Sequence, residues 1–281
     1  MDHEDFRAAS REQWEGAAAG WGARRATFQA AAEPVSAWMV DALDPQPGET
    51  VLELAAGPGD TGLLAAARIA PGGRLISTDG AEAMVEVARA RAAELGVENA
   101  EFRQMEAEWI DLGAASVDGV LCRYGYMLLA DPEAALRETR RVLRPGGRVA
   151  LAAWDAPERN PWMSTIGAEL VAQGLSEPPA SGAPGPFSFS APGRIEELLD
   201  AAGFAEWRVD AVDHGFAAAS FDDWWEFQYD QSPTLRAQLA DATPEQRDAL
   251  YEGVAARVAR FARDDGSLWL PARTLVALAE A

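Results

Sequence analysis

The chain has 281 residues, 48% of them hydrophobic, which is enough to bury one sizeable core with an appended lid and does not require two domains. Its 45 acidic residues outnumber 24 basic ones to give a net charge of −21, and a surface of that sign repels phosphate backbones and anionic lipid alike. Nucleic acid and membranes are therefore not expected as partners, which leaves a small-molecule substrate; the charge does not decide between monomer and homodimer.

Every basic residue is Arg, so chemistry that needs a lysine (Schiff base, pyridoxal cofactor, Walker phosphate loop) is excluded. Two histidines, His3 and His214, and the single Cys122 allow no disulfide framework and argue against a zinc site, so no metal is expected. A serine hydrolase is a weak reading, because no G-x-S-x-G elbow occurs. The acidic start and the lack of an apolar run of about 20 residues predict a cytoplasmic chain.

In chain order, residues 1–45 carry Trp14, Trp21, Phe28 and Trp38 among Ala, Arg and Glu and predict amphipathic helices that cover the body. From Thr50 short apolar runs alternate with helical periodicity, the mark of βαβ units. Strands are expected at Val51–Ala55, Arg74–Asp79, near Phe102, at Val117–Cys122 and at Val149–Trp154. Helices are expected through Leu63 and Ile69, over Ala81–Leu95, and from Pro132 to Leu143 behind an Asp131 cap.

Residues 46–155 thus read as a ligand-binding core, and 156–281 as lid helices plus the last two strands of the sheet. Pro178 to Pro192 must be loop. Helices follow around Ile195–Ala202, Ser220–Tyr229 and Pro244–Arg263, with strands at Phe204–Val212 and Thr274–Leu278. The fold class is α/β, a Rossmann-like, seven-stranded, mostly parallel sheet with helices on both faces, N-terminal helices and a C-terminal helical lid.

The stretch from Val51 to Gly62 runs strand, glycine turn, helix. Glycine is needed where a ligand passes within contact distance of the backbone. Gly57, Gly59 and Gly62 also satisfy G-x-G-x-x-G, which alone fits a nicotinamide dinucleotide equally well. Glu53 favours another ligand. A carboxylate inside a buried strand is costly unless it meets cations or donors, and it would repel a pyrophosphate.

The run E-L-A-A-G-P-G at 53–59 resembles motif I of the class I S-adenosylmethionine-dependent methyltransferases, with Ala55 replacing the first glycine. Asp79-Gly80 closing the second strand and L-R-P-G-G at 143–147 resemble further motifs of that class, and Glu106-Ala107-Glu108 before Ser116-Val117-Asp118 resembles a segment of its ubiquinone/menaquinone-biosynthesis-like (methyltransferase domain 11) branch. The resemblance covers about residues 40–155 and implies S-adenosylmethionine as cofactor.

It implies that Glu53 faces the ammonium and sulfonium charges, that Asp79 accepts the ribose hydroxyls, and that Met84 lies on the adenine. Glu106 would accept from the adenine amino group beside the Ala107 amide. Ala55, Gly57, Gly59 and Gly80 would line the cofactor, with Cys122 and Arg123 at the end of the fourth strand, although the Cys122 side chain reads as core filler. Trp14 and Trp21 would belong to a mobile cover that closes over it, as the amino-terminal segment does in similar enzymes.

Methyl transfer is an in-line displacement at an already activated carbon, so positioning and a dry pocket are the protein's main tasks. A base is needed only where the acceptor carries a proton. Tyr124, Tyr126 and His214 are the catalytic candidates. Arg123 is expected to bind an acidic substrate group or a nearby carboxylate. Phe221, Trp224, Trp225 and Gln228 share one helix face and are expected, with Phe187 and Phe189, to wall a pocket for an apolar, aromatic acceptor. A cofactor-binding protein without transfer activity, and a nicotinamide oxidoreductase, are the alternatives.

Overall fold

A computed structural model describes residues 3–281 apart from 179 and 181. Seven strands form one sheet in the order β3-β2-β1-β4-β5-β7-β6. The first five are parallel: β1 (Thr50–Glu53), β2 (Arg74–Asp79), β3 (Ala100–Gln104), β4 (Val117–Arg123) and β5 (Leu143–Trp154). Near-continuous burial of Val51–Leu54 and Val149–Trp154 reflects a sheet covered on two sides. The crossovers are α2 (Asp60–Ile69), α3 (Glu82–Leu95) and α4 (Pro132–Val142), the last capped by Asp131, whose carboxylate accepts from the Ala134 amide. β5 starts earlier than expected because Leu143 already pairs with Val117. The register then jumps to Gly119 opposite Arg148, looping out the Arg-Pro-Gly-Gly turn.

β6 (Glu206–Ala218) and β7 (Leu268–Glu280) close the sheet, with β7 antiparallel to both β5 and β6. Both outrun the predicted spans, so His214 lies inside β6, opposite Ala272. Between β5 and β6 stand α5 (Pro161–Ala172) and α6 (Arg194–Ala202), and between β6 and β7 stand α7 (Phe221–Gln231), α8 (Pro233–Asp241) and α9 (Pro244–Val258). The sequence reading missed α5 and α8. It also ran α9 too far, since a 3-10 turn takes over at Ala259.

The main correction is at the start, where the expected N-terminal helices are one helix, α1 (His3–Leu43), of 41 residues. Gly20 within it marks a close approach, since a Cβ there would overlap the Asp230 carbonyl at the end of α7. Pro34 sits inside the helix, where its missing N–H withdraws the helical donor from the Ala30 carbonyl without ending the helix.

Candidate functional site

β1 ends on Glu53, and the turn after it is built around left-handed residues. Gly57 has φ +52 and a Cβ there would point into open space; Gly59 has φ +79. Ala55, standing where motif I carries glycine, also adopts a positive φ of +49, a conformation that costs an L-residue roughly 1–2 kcal/mol. Asp79, closing β2, binds this turn: its Oδ2 accepts from the Gly57 amide at 2.9 Å and its Oδ1 from the Ala81 amide at 3.0 Å. Burial, with the Glu106 and Glu15 charges adding to it, pushes the Asp79 carboxyl up to about 6. Each oxygen keeps a lone pair for a ligand hydroxyl.

Glu53 behaves differently from expectation. Its Oε1 accepts from the Gly62 amide at 2.6 Å and its Oε2 from the Ser77 hydroxyl at 2.8 Å. It is fully enclosed, and burial raises it to about 7 against those two bonds and the Arg123 charge. The carboxylate is thus a strut between β1, β2 and the first turn of α2. Gly62 is glycine because a Cβ would overlap that carboxylate.

α1 crosses the carboxyl end of the sheet and bonds to the segments that follow each of the first three strands. Arg25 reaches Asp60 at 2.7 Å, Glu15 takes the amides of Glu82 and Ala83 at 2.6 and 3.0 Å, and Arg11 reaches Glu106 at 2.6 Å. Arg7 holds Glu108 by two bonds of 2.6 and 3.1 Å. Beneath this span Ala17 and Ala18 pack on Ala81 and Met84, with Trp14 and Trp21 against the same cluster. Gly80 is glycine beside Glu106, whose oxygen would stand 3.0 Å from a Cβ, and Ala107 is buried next in the chain. The Trp21 indole Nε1 is buried with no partner among the described residues, beside the Ala81 and Met84 cluster.

At the end of β4, Arg123 forms no ion pair among the described residues. Its Nη1 donates to Gln29 Oε1 at 3.0 Å and Ser36 Oγ at 2.7 Å, both on α1. Cys122 is wholly buried, its thiol pushed up to about 12 by burial, and it is core. Tyr126 is corrected to a packing residue: its hydroxyl lies 2.6 Å from the Thr139 hydroxyl of α4, with both residues buried.

Tyr124 has φ +63 and turns the other way, stacked on Trp154 at 4.0 Å with its hydroxyl 2.9 Å from that of Thr274. Around it lie Trp162, stacked on Phe216 at 3.8 Å, and Phe28 of α1, 6.2 Å from the Tyr124 ring and 5.7 Å from Phe216. The Trp162 indole N–H is also buried without a partner among the described residues.

The α7 face expected to wall a pocket is packed instead. Trp224 is buried, Gln228 donates to the Trp162 carbonyl at 2.9 Å, and Phe221 and Trp225 lean on Tyr251 of α9. Phe189 is core as well. Sequence reasoning missed Phe28, Trp154, Trp162, Phe216 and Thr274 because only the fold brings them together. The aromatic content of 154–162 was the one visible signal.

The family model described as Methyltransferase domain matches residues 45–180. Nocamycin O-methyltransferase from Saccharothrix syringae is 32% identical over 186 residues, covering 62% of this chain and 66% of that one. The ubiquinone/menaquinone biosynthesis C-methyltransferase UbiE of Acidiphilium cryptum is 42% identical over 107 residues, 38% of this chain and 42% of that one. The YcgJ protein from Bacillus subtilis shares the fold with a TM-score of 0.58 at 22% identity, over 87% of this chain and 97% of that one. Over residues 45–180 the chain thus matches a methyltransferase domain, and its relatives and fold support a class I S-adenosylmethionine-dependent methyltransferase with S-adenosylmethionine as cofactor. It spans between 27% and 66% of the length of the first curated relatives it matches.

Proposed function

We propose that the protein moves the methyl group of S-adenosylmethionine to a small, largely apolar, aromatic acceptor. The observation that carries this reading is the Gly57–Asp79 link: an open glycine turn held by a half-buried carboxylate with free lone pairs at the carboxyl end of a parallel sheet. A ligand with vicinal hydroxyls and a cationic tail fits that donor and acceptor set.

In this reading Asp79 takes the ribose hydroxyls, and Ala55, Gly57, Gly59 and Gly80 lie against the cofactor backbone to backbone. Met84 and Ala107 flank the adenine, Glu106 accepts from its amino group once Arg11 lets go, and Trp14 and Trp21 cover it. The Trp21 N–H then finds an acceptor. Glu53 holds the turn without touching the ligand, and its charge favours the cationic half of the cofactor through space. When bound, the sulfonium supplies an activated methyl carbon. The chain's own contribution is to orient the two reactants and exclude water.

The acceptor enters among Tyr124, Trp154, Trp162 and Phe216 when the Phe28 side chain swings aside, with α1 docked. Flat rings fit this box, because stacked and edge contacts of that spacing are what aromatic faces prefer. The unsatisfied Trp162 N–H meets an oxygen on the acceptor. Residues 1–45 act as cover, 46–155 as cofactor core, and 156–281 as the acceptor side, in a monomer or homodimer without nucleic-acid or membrane partners.

The test is transfer of labelled methyl from S-adenosylmethionine across phenols, quinone precursors, polyketides, amines and sugars, beside Trp162→Phe. Turnover on ring-bearing acceptors, lowered by removing the indole N–H, supports the reading. Turnover confined to sugars would refute it.

A further inference from the structure

Thr274 lies wholly buried on β7, opposite Trp154 of β5 and Val212 of β6. Its hydroxyl stands 2.9 Å from the Tyr124 hydroxyl and 2.9 Å from His214 Nε2. The other ring nitrogen of His214, Nδ1, is 2.8 Å from the backbone oxygen of Ala31 on α1. Four groups, from α1, the turn after β4, β6 and β7, thus form one chain of hydrogen bonds.

The protons in this chain can be placed by elimination. A carbonyl oxygen only accepts, so Nδ1 carries the hydrogen that points at Ala31. Burial lowers His214 below the ordinary imidazole range, against the Ala31 bond and the Asp213 charge, so the ring is neutral and Nε2 is a bare lone pair. The Thr274 hydroxyl must then donate to Nε2, and its oxygen accepts from Tyr124. The charged groups around the ring agree with a neutral form that can be protonated. Arg123 of β4 opposes a positive charge there, while Asp213, which is bonded to Arg273 of β7, favours one.

We propose that Tyr124, Thr274 and His214 form a one-way proton path that deprotonates a hydroxyl-bearing aromatic acceptor, with its polarity set by the Ala31 carbonyl of α1. The inference rests on the methyl-transfer reading and narrows its acceptors to phenols and enols. Tyr124 meets the acceptor; Thr274 and His214 act through it as positioning residues. The acceptor's proton goes to the Tyr124 oxygen, the tyrosine proton to Thr274, and the threonine proton to His214 Nε2. The acceptor oxygen keeps the electron pair with which it takes the methyl group, and the positive charge lost at sulfur reappears on the imidazolium. Because Ala31 belongs to α1, the path has its direction only while that helix is docked over a closed site.

Two histidines in the whole chain make the test clean, with His3 as internal reference. In the full chain labelled with ¹⁵N-histidine, long-range ¹H–¹⁵N correlation should show His214 protonated on Nδ1, the reverse of the Nε2 preference of free histidine. 4-Nitrophenol is then added to protein saturated with S-adenosylhomocysteine, below the pKa of the free phenol. The expected result is nitrophenolate absorbance together with a newly protonated Nε2 on His214. Thr274→Val should lose both signals, and Thr274→Ser should retain them. Tyr124→Phe should leave the resting His214 tautomer in place and abolish the response to nitrophenol.

A resting His214 protonated on Nε2 would overturn the path, as would nitrophenol that fails to bind or binds without protonating His214. A Thr274→Val response equal to that of the unsubstituted protein would overturn it too. Calorimetry with S-adenosylhomocysteine on the same samples separates the two ideas. Failure to bind refutes the methyltransferase reading, whereas binding together with an Nε2-protonated ring refutes the path alone.

Discussion

The Arg11 guanidinium donates two hydrogen bonds, of 3.0 and 2.6 Å, to a single oxygen of Glu106, the carboxylate proposed to read the adenine amino group. Cover and cofactor therefore compete for one acceptor. The pair is half-exposed, and ion pairs of that kind contribute about 0–1 kcal/mol, so it is a weak latch. Arg7 on Glu108 is the stronger one, since Glu108 is almost wholly enclosed and also accepts from the Asp131 amide at 2.6 Å.

Trypsin reads the difference, because cleavage after Arg24 or Arg25 requires α1 to undock locally. Arg7→Ala removes charged hydrogen bonds worth roughly 1.5–3 kcal/mol and should speed cleavage about tenfold or more. Arg11→Ala should change it by less than about fivefold. Saturating S-adenosylhomocysteine is expected to slow cleavage in both variants. Cleavage unchanged by the ligand would count against closure over the cofactor.

Glu53 is a strut, so its substitutions should separate stability from binding. Glu53→Ala leaves the Gly62 amide and the Ser77 hydroxyl buried without partners, at a cost of about 1–3 kcal/mol in urea unfolding. Glu53→Gln keeps an acceptor for Gly62 and a donor for Ser77, and should lose clearly less. Equal destabilisation by the two changes would contradict the strut.

Much of this was legible along the chain. Val51–Leu54 and Val149–Trp154 announced buried parallel strands, and Asp131-Pro132 announced the start of α4. What stayed hidden depends on contacts between distant segments. The 41-residue α1 was read as separate helices, and nothing in sequence shows Asp230 lying against its Gly20. The Phe221–Trp224–Trp225–Gln228 stripe has the period of a helix face, but periodicity does not tell a pocket wall from packing against α9. The Tyr124–Thr274–His214 chain joins residues 150 and 60 positions apart, and neither separation leaves a pattern.

The raised carboxyls make cofactor binding pH-dependent. Between about pH 4, the ordinary carboxylate range, and their folded values of about 6 for Asp79 and about 7 for Glu53, the folded protein holds protons that the unfolded chain has lost. Their contribution to the free protein's stability is therefore present in acid and is lost as pH rises through those values. The cationic cofactor binds the ionised form, so affinity for S-adenosylmethionine should rise as pH goes from about 5 to about 8. Calorimetry in buffers of different ionisation enthalpy should show proton release near the Asp79 value. Asp79→Asn should flatten the part of the slope that belongs to that residue, and a variant retaining the full slope would refute the assignment.

The central claim is that the Gly57–Asp79 turn holds S-adenosylmethionine, and titration calorimetry of the full chain tests it most directly. The account predicts micromolar binding, about 8 kcal/mol, weakened in folded Asp79→Ala by roughly 10- to 100-fold through loss of a charged acceptor. Tight NADH binding with no response to S-adenosylmethionine, or an Asp79→Ala variant that stays folded and binds it normally, would contradict the account.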